Sequence, residues 1–205
     1  MDSSQPLFTV NGKTIPEKSF QNKPLSNKVF HSLYISGKFN YSISEDQSIS
    51  DFECEPTTNI QIKTVLRAGT LILEAFGDSD SNEIVSIKCH KIPKNITSND
   101  VKSIHITGIT SNSNFEFSGD SDIAVSGNSA QCTLKVYGNC ILDLSALNAN
   151  SLNLSSYGTN QITANASESA FVYSIGKNNI SISGNPELKS VSSSGSNTTL
   201  FRKWR

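Results

Sequence analysis

Nowhere does the chain carry an apolar run near the roughly 18 to 20 residues that a membrane-spanning helix requires. Its start, Met1-Asp2-Ser3-Ser4-Gln5-Pro6, lacks the basic and apolar regions of a secretory leader. The expectation is export by another route, a leader already removed, or no export. Charge is scarce, at 17% of residues, and balanced: 17 Lys and Arg against 18 Asp and Glu give a net charge of -1. Nothing therefore draws the molecule as a whole to nucleic acid or anionic lipid, and neither partner is expected. The four cysteines, Cys54, Cys89, Cys132 and Cys140, form no Cys-x-x-Cys, which leaves zinc chelation and dithiol chemistry unsupported. The eight-residue step from Cys132 to Cys140 leaves a bridge open.

What the chain has instead is serine and asparagine, together roughly a quarter of it, where ordinary usage is lower. That composition disfavours long solvated helices, which draw on Ala, Leu, Glu and Lys. Residues 1–28 hold Pro6, Pro16 and Pro24 and an Asn11-Gly12 turn, and read as an extended lead-in or cap with room for a short hairpin. From residue 29 onward the pattern is one of short strands. Leu33-x-Ile35, Phe39-x-Tyr41-x-Ile43, Ile60-x-Ile62, Leu71-x-Leu73 and Val85-x-Ile87 alternate with period two. Breaks at Gly37, Arg67-Ala68-Gly69, Gly77 to Asn82 and Pro93 come too often for helices to intervene. The chain reads as all-β.

The second half repeats. Gly119, Gly138, Gly158, Gly176 and Gly195 are spaced by 18 to 20 residues. Four and six positions after the first four come Ile123 and Val125, Leu142 and Leu144, Ile162 and Ala164, Ile180 and Ile182. Further apolar pairs follow at Leu134/Val136, Leu152/Leu154 and Ala170/Val172. A helix-free unit of this length cannot bury its apolar face alone, and stacking copies about 4.8 Å apart solves the problem by laddering equivalent side chains. The predicted architecture is a parallel β-solenoid with coils of about 18–20 residues. A sandwich or meander is the alternative on strand length alone.

With the repeat in hand, residues 29–205 resemble the auto-transporter adhesin head domain, or head GIN domain, family. The likeness rests on Phe30-His-Ser-Leu-Tyr-Ile-Ser-Gly-Lys-Phe-Asn-Tyr-Ser-Ile as a first strand pair and on Asn59-Ile-Gln-Ile-Lys-Thr-Val-Leu-Arg-Ala-Gly-Thr-Leu-Ile-Leu as the next unit. It rests also on the Ser-Gly turns at Ser118-Gly119 and Ser194-Gly195 and on Ile180-Ser-Ile-Ser-Gly-Asn-Pro-Glu-Leu. Tyr137-Gly138, Tyr157-Gly158 and Ile175-Gly176 depart from the family's Ser-Gly-Ser-Gly turns, which implies different corners in the middle coils. The resemblance implies a right-handed parallel β-helix in a secreted or surface setting, with adhesion and no catalysis.

Candidate chemistry is thin. Glu116, Asp120 and Asp122 are the nearest approach to an acidic cluster, but aspartates at a glycine turn ordinarily bond their own backbone, and Asp78-Ser79-Asp80 reads the same way. His31, His90 and His105 have no metal-ligand spacing. No Gly-x-Ser-x-Gly elbow or phosphate loop is present. The sequons at Asn40, Asn95, Asn153 and Asn165 are what an Asn- and Ser-rich chain contains by chance. Phe201-Arg202-Lys203-Trp204-Arg205 reads first as a cap on the last coil, with a docking site for an anionic partner as the alternative.

The expectation is a non-catalytic surface or secreted binding module, without cofactor or metal, for a cell surface, glycan or protein. Tyr137, Tyr157, Tyr173, Arg202 and Trp204 are its candidate contact residues, because aromatic faces with polar tips suit such ligands better than charge steering. A homo-oligomer is open. The alternatives are an intracellular scaffold on the same solenoid and, further off, a carbohydrate-active enzyme using Asp120 and Asp122.

Overall fold

The computed structural model describes residues 8–10, 13–15, 30–50, 52–55, 60–77 and 83–203. Within the lead-in, β1 (Phe8–Val10) and β2 (Lys13–Ile15) pair antiparallel. The acidic Asp78 turn and Trp204 lie outside the described residues.

Alternation builds two stacked faces. The first is made of β7 (Thr70–Gly77), β3 (Ser32–Ser36), β9 (Asn95–Asn99) and β11 (Ser113–Gly119). It continues through the second halves of β12 (Asp122–Gly138), β13 (Ile141–Gly158) and β14 (Gln161–Gly176) to β16 (Leu188–Gly195). The second face runs from β8 (Ile84–Cys89) through β4 (Asn40–Glu45) and β10 (Ser103–Ile109). It takes in the first halves of β12 to β14 and ends on β15 (Asn179–Ser183) and β17 (Thr198–Phe201). Neighbours along each face are parallel. This is a parallel β-solenoid, as the repeat requires.

The inward ladders are the predicted apolar pairs. Ile123, Leu142, Ile162 and Ile180 align across successive strands and are buried. In the trailing pairs the register differs by one step of the alternation: Leu134 aligns with Leu154 and Val172, while Val136 aligns with Ser156 and Ser174. Position relative to the corner glycine, rather than apolar character, sets the ladder. Burial of these side chains contributes on the order of 1.5–3 kcal/mol each.

The corners are more uniform than the departures in sequence imply. Gly119, Gly138, Gly158, Gly176 and Gly195 form one ladder, so Tyr-Gly and Ile-Gly make the same corner as Ser-Gly. At Gly158 φ is +112°, and a Cβ there would stand 2.2 Å from the carbonyl oxygen of Gly138. Close stacking of backbone on backbone decides the residue, whatever precedes it.

Coil order is not chain order. β3 lies between β7 and β9, and β4 lies between β8 and β10. The solenoid begins one layer in, with β3 and β4; the chain then leaves to form β5 (Phe52–Glu55) and β6 (Ile60–Arg67), and lays β7 and β8 on one side of that first coil. It then passes through buried Ile92 and Pro93 to stack β9 and β10 on the other side. β5 and β6 pair antiparallel with β8 and β7, which ends the parallel stacking and covers the sheet edges at this end. At the other end Phe201 continues the inward Ile182 column, and Lys189 Nζ stands 5.3 Å over its ring. This is a cation–π contact across the last coil.

All four cysteines are free. Cys132 stands in the inward ladder of the first face and Cys140 in a corner ladder, so their eight-residue separation spans a turn without joining them.

Candidate functional site

The outward columns of the first face are mostly polar. One reads Asn95, Asn114, Thr133, Asn153, Phe171, Ser190. The next reads Thr97, Glu116, Lys135, Ser155, Tyr173, Ser192, and the third Asn99, Ser118, Tyr137, Tyr157, Ile175, Ser194. Aromatic and aliphatic side chains gather where β12, β13 and β14 run side by side. Tyr137, Phe171, Tyr173 and Ile175 are 37%, 46%, 42% and 39% exposed, so a strand buried on one side is apolar on its solvent side as well. Tyr137 and Tyr157 stack at 5.0 Å with planes 6° apart, and Tyr173 meets Tyr157 edge-on at 5.9 Å.

The structure thus brings Tyr137, Tyr157 and Tyr173 together. Phe171 and Ile175 belong to the same patch, and sequence reasoning passed over them. The available signal was the stretch Ala170-Phe171-Val172-Tyr173, in which apolar residues occupy both phases of the alternation. Arg202 is remote from this patch: it follows β17, exposed, with its backbone N–H donating to the carbonyl of Ile182 at 2.8 Å.

Behind the glycine corner runs a ladder of asparagines, buried at Asn160 and Asn178 and half-buried at Asn197. Asn160 Oδ1 accepts from the N–H of Cys140 (2.9 Å), Asn178 Oδ1 from the N–H of Asn160 (3.2 Å), and Asn197 Oδ1 from the N–H of Asn178 (3.0 Å). Each side-chain amide donates onward as well: Asn160 Nδ2 reaches Asn178 Oδ1 at 2.9 Å, and Asn178 Nδ2 reaches Asn197 Oδ1 at 2.7 Å. The underlying signal is Gly-x-Asn at Gly158, Gly176 and Gly195, legible in sequence and overlooked there. In the earlier coils Ser121 and Cys140 take the position and bond carbonyls instead.

The acidic residues do not form a catalytic pair. Asp120 Oδ1 accepts from Asn139 Nδ2 at 2.9 Å, while Glu116 lies on the other face, opposite Lys135. Asp143, outside the earlier candidates, is held below the usual carboxylate range by the Ser145 hydroxyl and backbone N–H. Burial pushes the thiols of Cys54, Cys89 and Cys132 up to about 12, so they are poor nucleophiles. His31, His90 and His105 are exposed and dispersed, and His90 Nδ1 lies 2.9 Å from the carbonyl of Ile49. Among the described residues, no three His, Cys, Asp or Glu side chains converge as metal ligands.

A two-faced parallel solenoid with an outward aromatic patch places the chain in the class of β-solenoids that present a rigid outer surface. Within that class it belongs to a defined family: residues 29–186 match the family described as "Putative auto-transporter adhesin, head GIN domain". A solved structure shares the fold. A protein of Bacteroides fragilis described as a "putative adhesin" is 19% identical, with 85% of this chain and 93% of that one covered and a TM-score of 0.59. A similarly described protein of Parabacteroides merdae is 13% identical over 85% and 92% of the two chains, with a TM-score of 0.49. No curated protein matches the chain.

Proposed function

We propose that this chain is a non-catalytic adhesion module that acts outside the cell and holds a protein partner through the patch formed by Tyr137, Tyr157, Phe171, Tyr173 and Ile175. One observation carries the reading: the only clustered aromatics on the outer side of the first face, among the described residues, lie on rigid, fully paired strands. Tyrosine supplies apolar contact area and a polar tip at low entropic cost, which is why it concentrates in interface hot spots. The stacking supports a protein over a sugar here. Tyr137 and Tyr157 cover each other's faces, so the flat surface on which a pyranose would lie is largely used up. The family's name and its relatives' descriptions as adhesins support the extracellular setting.

The test is binding of the full chain, labelled, to intact cells before and after protease treatment of their surface. Saturable binding that protease abolishes, and that Tyr137→Ser/Tyr173→Ser weakens by about tenfold or more without loss of strand signal, is the expected result. No saturable binding, equal binding by the variant, or binding removed by glycosidase instead would overturn it.

A further inference from the structure

The second feature that faces solvent is a furrow along the glycine corner. One wall is the column of residues that follow the glycines, Asp120, Asn139, Thr159, Lys177 and Ser196. The other is the first outward column of the second face: Ser103, Asp122, Ile141, Gln161, Asn179 and Thr198. Two adjoining hollows of about 560 and 500 Å³ lie between these walls and share Asn139 and Ile141. From Asn40, at one end, to Thr198 the wall makes six inter-strand steps, roughly 29 Å at about 4.8 Å each.

Three observations define what fits. First, the half of the furrow nearer Thr198 offers polar groups to an outside molecule: Thr159, Gln161, Lys177, Asn179, Ser196 and Thr198 make no side-chain hydrogen bond within the described structure, whereas at the other end Asn139 donates to Asp120 and Ser103 to Asn40. Elsewhere outward asparagines pair with each other between coils, as Asn95 with Asn114 and Asn128 with Asn148 do. Second, the floor is rigid and closed, because the asparagine ladder and the inter-coil bonds from Asn139, Thr159 and Lys177 N–H to the preceding glycine carbonyls occupy the corner backbone. A peptide strand would find no free backbone edge there. Third, charge is balanced, with Lys102 and Lys177 against Asp120 and Asp122, and the midpoint is Ile141, 55% exposed.

We propose that this furrow binds an extended, uncharged β-linked oligosaccharide lying parallel to the solenoid axis. Such a polymer advances about one sugar per coil, so successive hydroxyls meet successive amides and hydroxyls on both walls, and Ile141 receives the C–H face of a central pyranose. Balanced charge disfavours polyanionic glycans. The site is separate from the aromatic patch and stands whether or not that patch binds protein.

Titration calorimetry of the full chain with the β-1,4-linked cellohexaose, xylohexaose and mannohexaose, and with their trimers, tests the assignment. At least one hexaose is expected to bind about tenfold more tightly than its trimer, with little dependence on salt. Gln161→Ala/Asn179→Ala, both exposed, should weaken that binding by about fivefold or more at an unchanged melting temperature, and Tyr173→Ser should leave it intact. Failure of all three sugars, binding of polyanions alone, or loss of binding in Tyr173→Ser but not in the furrow variant would overturn it.

Discussion

Asn178 illustrates how much one side chain does in this chain. It is buried, accepts from the Asn160 backbone and from the Ser156 hydroxyl (2.8 Å), and donates to the carbonyl of Ile175 (3.1 Å) and to Asn197. Asn178→Leu leaves several of these partners buried and unsatisfied, and is expected to destabilise the fold by roughly 3 kcal/mol, read as a shifted denaturant midpoint at unchanged slope. Asn179→Leu, one residue on but exposed, should change stability by no more than about 0.5 kcal/mol. The two are indistinguishable by composition. Gly-x-Asn three times over marks the first as special, but only the register shows that its amide points into the corner.

At the scale of elements, the hairpin β6–β7 closes the capped end. Its turn, Arg67 to Thr70, has Ala68 at φ +49° and Gly69 at φ +76°, the left-handed pair that a two-residue hairpin needs. Alanine is the poorer choice there. Ala68→Gly should stabilise the protein by roughly 0.5–1 kcal/mol, raising the thermal midpoint by a few degrees, and an unchanged or lower midpoint would contradict the turn assignment. The glycine turn and both strands were legible from Ile60-x-Ile62 and Leu71-x-Leu73. That β6 ends the stack was not, because an antiparallel terminator and a further parallel coil show the same alternation.

For the molecule as a whole, buried thiols set an alkaline limit. Burial raises Cys54, with Glu55 adding to the effect; burial raises Cys89, with Cys54 adding; and burial alone raises Cys132, each to about 12. In the unfolded chain thiols ionise near about 8.5. The folded state therefore holds more protons between these values, and stability is retained below about 8.5 and falls as pH rises toward about 12. Denaturant midpoints across that range should fall less steeply in Cys132→Ala, once its lower starting stability is allowed for. Equal slopes would show that this thiol does not contribute.

The repeat in the amino-acid sequence determined the glycine corners, the ladder of Ile123, Leu142, Ile162 and Ile180 and hence the solenoid itself, because stacking equivalent units buries Ile, Leu and Val that one unit cannot bury alone. Tertiary structure alone decided which coil lies beside which. The interleaving of β3 between β7 and β9 depends on contacts between segments distant in sequence, and identical strand patterns stack equally well in either order. It also decided the two outward features on which the proposals rest. Tyr137, Tyr157 and Tyr173 are separate residues in the chain until the register aligns them, and the furrow exists only once Gln161 and Asn179 stand one inter-strand step apart.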